Sequence, residues 1–314
     1  MPSVRTWNIL LSAYAIQGDI SRAKHCWRRM KKSEIRPDIV SYNTLLNCCV
    51  KSFRIRKKRS RNSGNIEEDV EFIFKELMHD QNVLANHITY LTMINFWINK
   101  KKTKRAEQFL LKVIQEHKKS NNGVMKISDS KILFPLRSLF HKVMTGWLIT
   151  KKPENAEQLL LKMTELSDDG FDGLQPNTET YNILINCWAK SNKWESGECA
   201  EAILRGMEGL VSAGKEKVIT NRDSYNFVLE AWSNSGGDIS LIRIEKLIRE
   251  MVSLENPGVL PDSDSYELWL KTIAASNGRV DKIQKGKEVI MMMKAHNFCP
   301  NGDIRRKILL LSDS

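Results

Sequence analysis

Among the side chains of this 314-residue sequence that could do chemistry, four asparagines are the most regular in their placing. Asn8, Asn43, Asn182 and Asn226 stand at the end of Thr6-Trp7-Asn8, Ser41-Tyr42-Asn43, Thr180-Tyr181-Asn182 and Ser224-Tyr225-Asn226. A carboxamide donates and accepts hydrogen bonds, so the chemistry on offer is recognition. Groups that make or break bonds show no comparable order. The sequence has no Gly-rich phosphate loop, no His-Glu-x-x-His and no Gly-x-Ser-x-Gly, so no catalytic residue, no cofactor and no enzymatic activity are expected. A zinc-deaminase signature would need His-x-Glu and Cys-x-x-Cys, and both are missing. The six cysteines (Cys26, Cys48, Cys49, Cys187, Cys199, Cys299) lack paired spacing. They read as buried thiols of a reducing compartment, with no metal site, because neither His25 with Cys26 nor Cys187 with Cys199 completes a set of four ligands.

The elements that position the asparagines are repeated. Weaker copies of the same triplet occur at Thr89-Tyr90-Leu91, Leu139-Phe140-His141 and Ser265-Tyr266-Glu267, which makes seven. Apolar residues recur three and four apart behind each copy, as in Tyr42, Leu45, Leu46 and Cys49, the stripe of an amphipathic helix. A second stripe follows each first one: Ala23/Cys26/Trp27/Met30, Val70/Ile73/Phe74/Leu77, Ala106/Phe109/Leu110/Val113, Ala156/Leu159/Leu160/Met163, Ala200/Ile203/Leu204/Met207, Ile244/Leu247/Ile248/Met251 and Gly286/Val289/Ile290/Met293. A small leading residue lets two helix axes approach closely. Pro37-Asp38, Pro135-Leu136, Pro176-Asn177, Pro261-Asp262 and Pro300-Asn301 punctuate the passage to the next first helix. Tyr14, Trp97, Trp147, Trp188 and Trp232 fall on the apolar stripes and read as inter-repeat core.

This pattern predicts an all-α fold, a right-handed α-solenoid of antiparallel helix-turn-helix repeats forming one elongated superhelix. Seven repeats are expected at 4–38, 39–86, 87–136, 137–177, 178–221, 222–262 and 263–301, with 302–314 opening a truncated eighth. The longer repeats carry polar insertions at Phe53 to Gly64 and Lys118 to Lys131, tolerable because loop-closure entropy rises slowly with length. The sequence starts inside a helix pattern and stops inside another, so it reads as a fragment or an incomplete gene model, with neither a secretory signal nor an Arg/Ser-rich transit peptide visible. No apolar run is long enough to span a membrane.

The net charge is +12, and the residues through Arg61 hold 15 Lys/Arg against 3 Asp/Glu, so the whole excess lies in the first fifth of the chain. Such a field attracts polyanions without choosing among them. Arg54, Arg56, Lys57, Lys58, Arg59 and Arg61 run without acidic interruption into Asn62-Ser63-Gly64-Asn65. The run reads as a solvated loop, a phosphate-binding strip or a nuclear import signal. Lys100 to Lys102 with Lys104 and Arg105 would extend such a strip.

From Val4 to Asn301 these residues resemble the pentatricopeptide-repeat family, most specifically at Val4 to Asp38, which has the family's length, its opening Thr-Trp-Asn, its second-helix Ala23 and Met30, and its closing Pro-Asp. A tetratricopeptide array is the nearest rival and would not demand the repeated Tyr-Asn. The resemblance implies single-stranded RNA as partner, read at about one base per repeat by the residue after the first-helix aromatic together with the last residue of the same repeat. The implied pairs are Asn8 with Asp38, Asn43 with Asn86, Asn182 with Asn221, and Asn226 with Asp262. An ionised Asp only accepts, which suits uracil N3–H, whereas Asn tolerates cytosine or uracil, so a pyrimidine-leaning RNA is expected. His141 with Asn177 and Glu267 with Asn301 are weaker pairs, and Leu91 with Leu136 offers no hydrogen bond. The family's apolar residue two places before the aromatic is present as Val40 and Ile88 but replaced by Glu179, Asp223 and Asp264. Lys51 and Lys190 occupy the family's phosphate-contact position, and Arg54, Arg56, Lys57, Lys58 and Arg59 are further phosphate candidates. The resemblance also implies an organellar location, mitochondrion or plastid, with nucleus or cytoplasm as alternatives. It implies a role in RNA processing, stability or translation, a monomeric state, and protein partners in RNA metabolism. The competing expectation is a protein-binding scaffold, favoured by the three carboxylates and by the neutral charge balance after Arg61.

Overall fold

The computed structural model describes residues 2–58, 66–120, 136–214, 217–276, 282–296 and 298. Among these, fourteen α-helices alternate and no strand occurs. The first helices of successive hairpins are α1 (Val4–Gln17), α3 (Ile39–Lys58), α5 (His87–Asn99), α7 (Leu136–Thr150), α9 (Thr178–Ser191), α11 (Arg222–Ser235) and α13 (Ser263–Ala275). Their partners are α2 (Ile20–Lys32), α4 (Ile66–His79), α6 (Thr103–Ser120), α8 (Pro153–Asp168), α10 (Ser196–Ser212), α12 (Asp238–Ser253) and α14 (Lys282–Ala295). Segments 59–65 and 121–135, which overlap the two polar insertions, and residues 302–314 lie outside the described residues, as do Arg59, Cys299 and Asn301.

Helix ends follow from side-chain chemistry at the junctions. Ser3 caps α1 and Asp19 caps α2, accepting from the backbone N–H of Thr6 and Arg22. Pro153 opens α8, where a missing N–H costs nothing. The turn after the first helix uses the left-handed region at the same place in several hairpins: Gly18 at φ 67°, Lys101 at 58°, Lys151 at 56° and Asn192 at 59°. Only Gly18 takes that conformation freely, so the lysines are held there by the helices on either side.

The apolar stripes meet as their spacing requires. Ala23, Cys26, Trp27 and Met30 are buried, and so are Ala156, Leu159 and Met163, then Ala200, Leu204 and Met207, then Ile244, Leu247, Ile248 and Met251. Each large side chain so buried contributes roughly 1.5–3 kcal/mol. Trp97, Trp147, Trp188 and Trp232 lie in this core, as their positions on the stripe predict, while Tyr14 is half-buried. Cys26, Cys48, Cys49 and Cys187 are buried free thiols, and burial pushes Cys48 and Cys187 up to about 12. The leading tyrosines bury their rings and bond their hydroxyls: Tyr42 Oη donates to Asp80 (3.2 Å), Tyr225 Oη to Glu208 (2.8 Å) and Glu250 (3.1 Å).

The chain forms two compact units, residues 1–146 and 147–314, where periodicity alone predicts one continuous array. In the first unit α1 packs on α3 and α3 on α5; in the second α9 packs on α11 and α11 on α13. Each unit is a short α-solenoid. The divide falls within α7, whose triplet Leu139-Phe140-His141 has neither the hydroxyl nor the carboxamide of the strong repeats. Ion pairs join neighbouring second helices: Lys24 with Asp69, Lys31 with Glu76 at 2.6 Å, Arg205 with Glu250 at 2.5 Å, and Lys285 with Glu245 at 3.2 Å.

Helix α10 contains a paired test of packing. A Cβ at Gly197 would lie 2.4 Å from the Trp232 ring, whereas at Gly206 it would meet nothing within 4 Å. Gly197→Ala is therefore expected to destabilise the second unit by about 1–3 kcal/mol through overpacking, and Gly206→Ala to stabilise it by about 0.5–1 kcal/mol through helix propensity. Urea unfolding followed by tryptophan fluorescence distinguishes the opposite signs; equal effects at the two glycines contradict the close approach of α10 to Trp232.

Candidate nucleic-acid interface

Each strong repeat presents its asparagine to the cap of the next first helix, and the same small network forms four times. Asn8 Nδ2 donates to Asp38 Oδ1 at 3.0 Å, and Ser41 Oγ lies 2.6 Å from Asn8 Oδ1. Asn43 Nδ2 donates to Asn86 Oδ1 at 3.0 Å, and Thr89 Oγ1 to Asn43 Oδ1 at 2.7 Å. Asn182 Nδ2 donates to Asn221 Oδ1 at 3.2 Å, with Ser224 Oγ donating to Asn182 Oδ1 at 2.7 Å. Asn226 Nδ2 donates to Asp262 Oδ1 at 3.1 Å, with Ser265 Oγ donating to Asn226 Oδ1 at 2.6 Å. The structure thus brings together all four pairs singled out in the sequence.

The partner in every pair is an N-cap. Asp38 Oδ1 accepts from Ser41 N at 2.8 Å, and Asn86, Asn221 and Asp262 form capping boxes with Thr89, Ser224 and Ser265. Sequence reasoning left the hydroxyl residue without a role. It is the third helical residue of the capping box and the donor to the preceding repeat's carboxamide. A Ser or Thr three places after Asp or Asn was the available signal.

Those bonds determine which atoms are left over. Asp38 Oδ1 and Asp262 Oδ1 are committed, and Oδ2 of each has no partner among the described residues. In Asn86 and Asn221 the Oδ1 is committed, so the unused group is Nδ2, a donor. Each of the four first-helix asparagines retains a second Nδ2 hydrogen. Burial by itself would raise the Asp38 carboxyl, but hydrogen bonds from the Ser41 backbone and from the Asn8 and Ser41 side chains outweigh it and hold the group below the usual carboxylate range. Asp38 is therefore ionised and purely an acceptor at neutral pH.

The other positions are less uniform. His141 is buried on α7, and Asn177 caps α9 in a capping box with Thr180. Glu267 is half-buried on α13, and its partner Asn301 lies outside the described residues. Leu91 is half-buried on α5 and Leu136 is buried at the start of α7. Val40 and Ile88 are 52% and 57% exposed, and Glu179, Asp223 and Asp264 are exposed at the matching positions. Glu179 and Asp223 line a hollow of about 500 Å³ together with Asn177, Asn182, Asn186 and Asn221.

The cations differ from one another. Lys51 is half-buried on α3 with no ion pair among the described residues, and Arg54 is exposed a turn further on. Arg56, Lys57 and Lys58 complete that helix, and Arg59 lies beyond the described residues. Lys190 is paired with Glu230 of α11. Three of the five cations in the extension of the basic strip are paired with α4: Lys100 and Lys102 reach Glu67 at 2.8 and 2.7 Å, and Arg105 reaches Glu71 at 2.6 Å. Among the described residues no three potential ligands gather to hold a metal, and no helix is long and apolar enough to cross a membrane.

Comparison with known proteins agrees with the repeat pattern. Residues 2–51 match the PPR repeat family and residues 179–199 match the PPR repeat. Pentatricopeptide repeat-containing protein At5g09450, mitochondrial, of Arabidopsis thaliana is 24% identical over 105 residues, covering 33% of this chain and 23% of the relative. Pentatricopeptide repeat-containing protein At1g06140, mitochondrial, of the same plant is 20% identical over 197 residues, covering 63% and 29%. The chain thus spans under a third of the length of these relatives. The crystal structure of maize PPR10 aligns over 99% of this chain and 47% of its own, at 17% identity and a TM-score of 0.46. PPR10 in complex with an 18-nt psaJ RNA element aligns at 16% identity and a TM-score of 0.32, over 99% of this chain and 51% of that one. The two matches show pentatricopeptide repeats at residues 2–51 and 179–199 of this chain, and the relatives that share them are pentatricopeptide-repeat proteins.

Proposed function

We propose that this chain binds single-stranded RNA along the first-helix face of each unit, choosing pyrimidines through its asparagine–cap pairs and acting as a binding array without catalysis. The observation that carries the reading is the fourfold recurrence of a reading amide bonded to a cap whose second polar atom is unengaged. An Asp cap turns an acceptor outward, which complements uracil N3–H. An Asn cap turns a donor outward, which complements cytosine N3, and the amide's rotation admits uracil. Asn8/Asp38 then favours uracil and Asn43/Asn86 a cytosine or uracil beside it; in the second unit Asn182/Asn221 and Asn226/Asp262 form another adjacent couple. His141/Asn177 and Glu267/Asn301 contribute weaker choice, and Leu91/Leu136 none.

Affinity in such a complex comes mainly from phosphates, and choice from base edges. The first unit holds 28 Lys/Arg against 12 Asp/Glu and the second 21 against 25, so the grip is assigned to the first, through Lys51, Arg54 and the basic residues 56–59. The names of two relatives support action in an organelle, the mitochondrion first, in RNA processing, stability or translation. A second reading, a scaffold for proteins, is favoured by the carboxylates lining the second unit's hollow. A pull-down repeated after nuclease treatment separates the two, since partners held through RNA are lost and direct partners remain.

Selection from a random RNA pool tests base choice. Asp38→Asn is expected to keep the cap, because Asn and Asp cap about equally well, yet to relax one uracil position to a mixture of uracil and cytosine, a change of roughly five- to tenfold in their ratio. An enriched sequence identical to the wild type's would sink base reading at this pair. Salt titration separates the lysines. Lys51→Gln should lower the slope of log K against log salt by about 0.7 on every RNA, while Lys190→Gln should change it less, its charge being already matched by Glu230. Equal slopes for both variants and the wild type would remove Lys51 from the phosphate path.

A further inference from the structure

The second and fifth repeats carry the same reading pair, two asparagines, in different surroundings. Beside Asn43 and Asn86 the exposed positions two places before the aromatics hold Val40 and Ile88, which offer neither donor nor acceptor. Beside Asn182 and Asn221 those positions hold Glu179 and Asp223, and both carboxylates line the hollow of about 500 Å³ that the two amides share. Asn186, one turn further along α9, lines it too, and its Oδ1 is buried without a hydrogen-bond partner. The hollow therefore presents donors, from Asn221 Nδ2 and the second Nδ2 hydrogen of Asn182, next to acceptors from two carboxylates.

The two pyrimidines differ at the atoms such a set would touch. Cytosine shows two adjacent acceptors, O2 and N3, followed by the N4 amino donor. Uracil shows a donor at N3–H between two carbonyls, so its O4 occupies the place of the amino group. Neighbouring donors followed by an acceptor match cytosine, whereas a carboxylate facing O4 sets two acceptors against each other. Adenine, with a single acceptor beside its amino group, satisfies fewer of these atoms.

We propose that Glu179 and Asp223 are specificity-determining residues that make the fifth repeat select cytosine, while the second repeat, with Val40 and Ile88, accepts cytosine and uracil alike. The inference rests on the RNA-reading function proposed above. Both carboxylates also sit in the first turn of a helix, where they favour the helix dipole, so stability alone cannot test it.

The deciding experiment selects from a random pool of RNA 20-mers with the full chain, using Asn43→Ala and Asn182→Ala to assign the position each repeat reads. In the wild type, cytosine should exceed uracil roughly tenfold at the position erased by Asn182→Ala, and the two should be comparable at the position erased by Asn43→Ala. Glu179→Val with Asp223→Ile should bring the fifth position to the mixture seen at the second. Glu179→Gln with Asp223→Asn, whose amides can also turn a donor to uracil O4, should lower the cytosine preference to an intermediate ratio. If the first double variant loses helicity by circular dichroism, the reciprocal Val40→Glu with Ile88→Asp serves instead and should create a cytosine preference at the second position. Equal cytosine and uracil at the fifth wild-type position, or a preference unmoved by Glu179→Val with Asp223→Ile, overturns the inference and leaves RNA reading standing. A pool that enriches no sequence overturns both.

Discussion

The arrangement turns on one contact, the hydrogen bond from a first-helix asparagine to the N-cap of the following first helix. A cap residue satisfies a backbone N–H that would otherwise lack a partner, a contribution of about 1 kcal/mol. Here the same oxygen also receives an amide hydrogen from the preceding repeat, as Asp38 Oδ1 does from Asn8 and Asp262 Oδ1 from Asn226. Helix start, inter-helix register and the orientation of the asparagine are therefore set by one atom. The Ser or Thr hydroxyl closes the network by donating to the carboxamide oxygen, which fixes which end of the amide is nitrogen. A side chain that would lose rotamer freedom on binding a base is thereby already ordered in the folded protein.

The same contact explains why the array is uneven. Between α1 and α3, α3 and α5, α9 and α11, and α11 and α13 it recurs with distances of 3.0 to 3.2 Å. The third repeat has Leu91 in place of the asparagine and buries Leu136 where a polar cap would stand, so nothing there can form it. Packing holds that hairpin instead: Gly146 brings α7 so close to Thr103 and Ile98 that a Cβ would lie 2.8 and 2.9 Å from them. A repeat can thus retain its place in the stack after losing its polar bridge, because the apolar stripes of the hairpin carry most of the stability.

Much of this was legible in the sequence, and the parts that were not share a cause. The helices follow from the three-and-four spacing of Ala23, Cys26, Trp27 and Met30 and its later copies, and their starts from the Pro-Asp and Pro-Asn steps, because local periodicity and local capping are short-range properties. The reading pairs were named only through family resemblance, since Asn8 and Asp38 are 30 residues apart and nothing in spacing alone joins them. The fate of the lysines was hidden for the same reason. Lys190 finds Glu230 and Lys100 finds Glu67 across 40 and 33 residues, so which cations remain unpaired depends on repeat register. The capping hydroxyls were in plain view, yet their second bond, to the previous repeat, needed coordinates.

The charge distribution adds a constraint that the repeats themselves do not impose. Hydrogen bonds to base edges are exchanged against hydrogen bonds to water, so a short row of asparagine–cap pairs supplies choice with little net affinity, and phosphate neutralisation must supply the rest. The unit with 28 cations against 12 anions can do so; the unit with 21 against 25 adds carboxylates to its groove and has its lysine at the phosphate position paired. A chain that placed both functions in every repeat would hold any RNA tightly and discriminate poorly, because the electrostatic contribution is blind to sequence. With 21 cations against 25 anions the second unit has no net positive charge to attract a polyanion, so under the proposed function it would supply choice of base more than grip. The carboxylates beside the Asn182/Asn221 pair suit the helix N-termini they occupy and cost binding to a phosphate chain, a cost that the proposed base choice would offset.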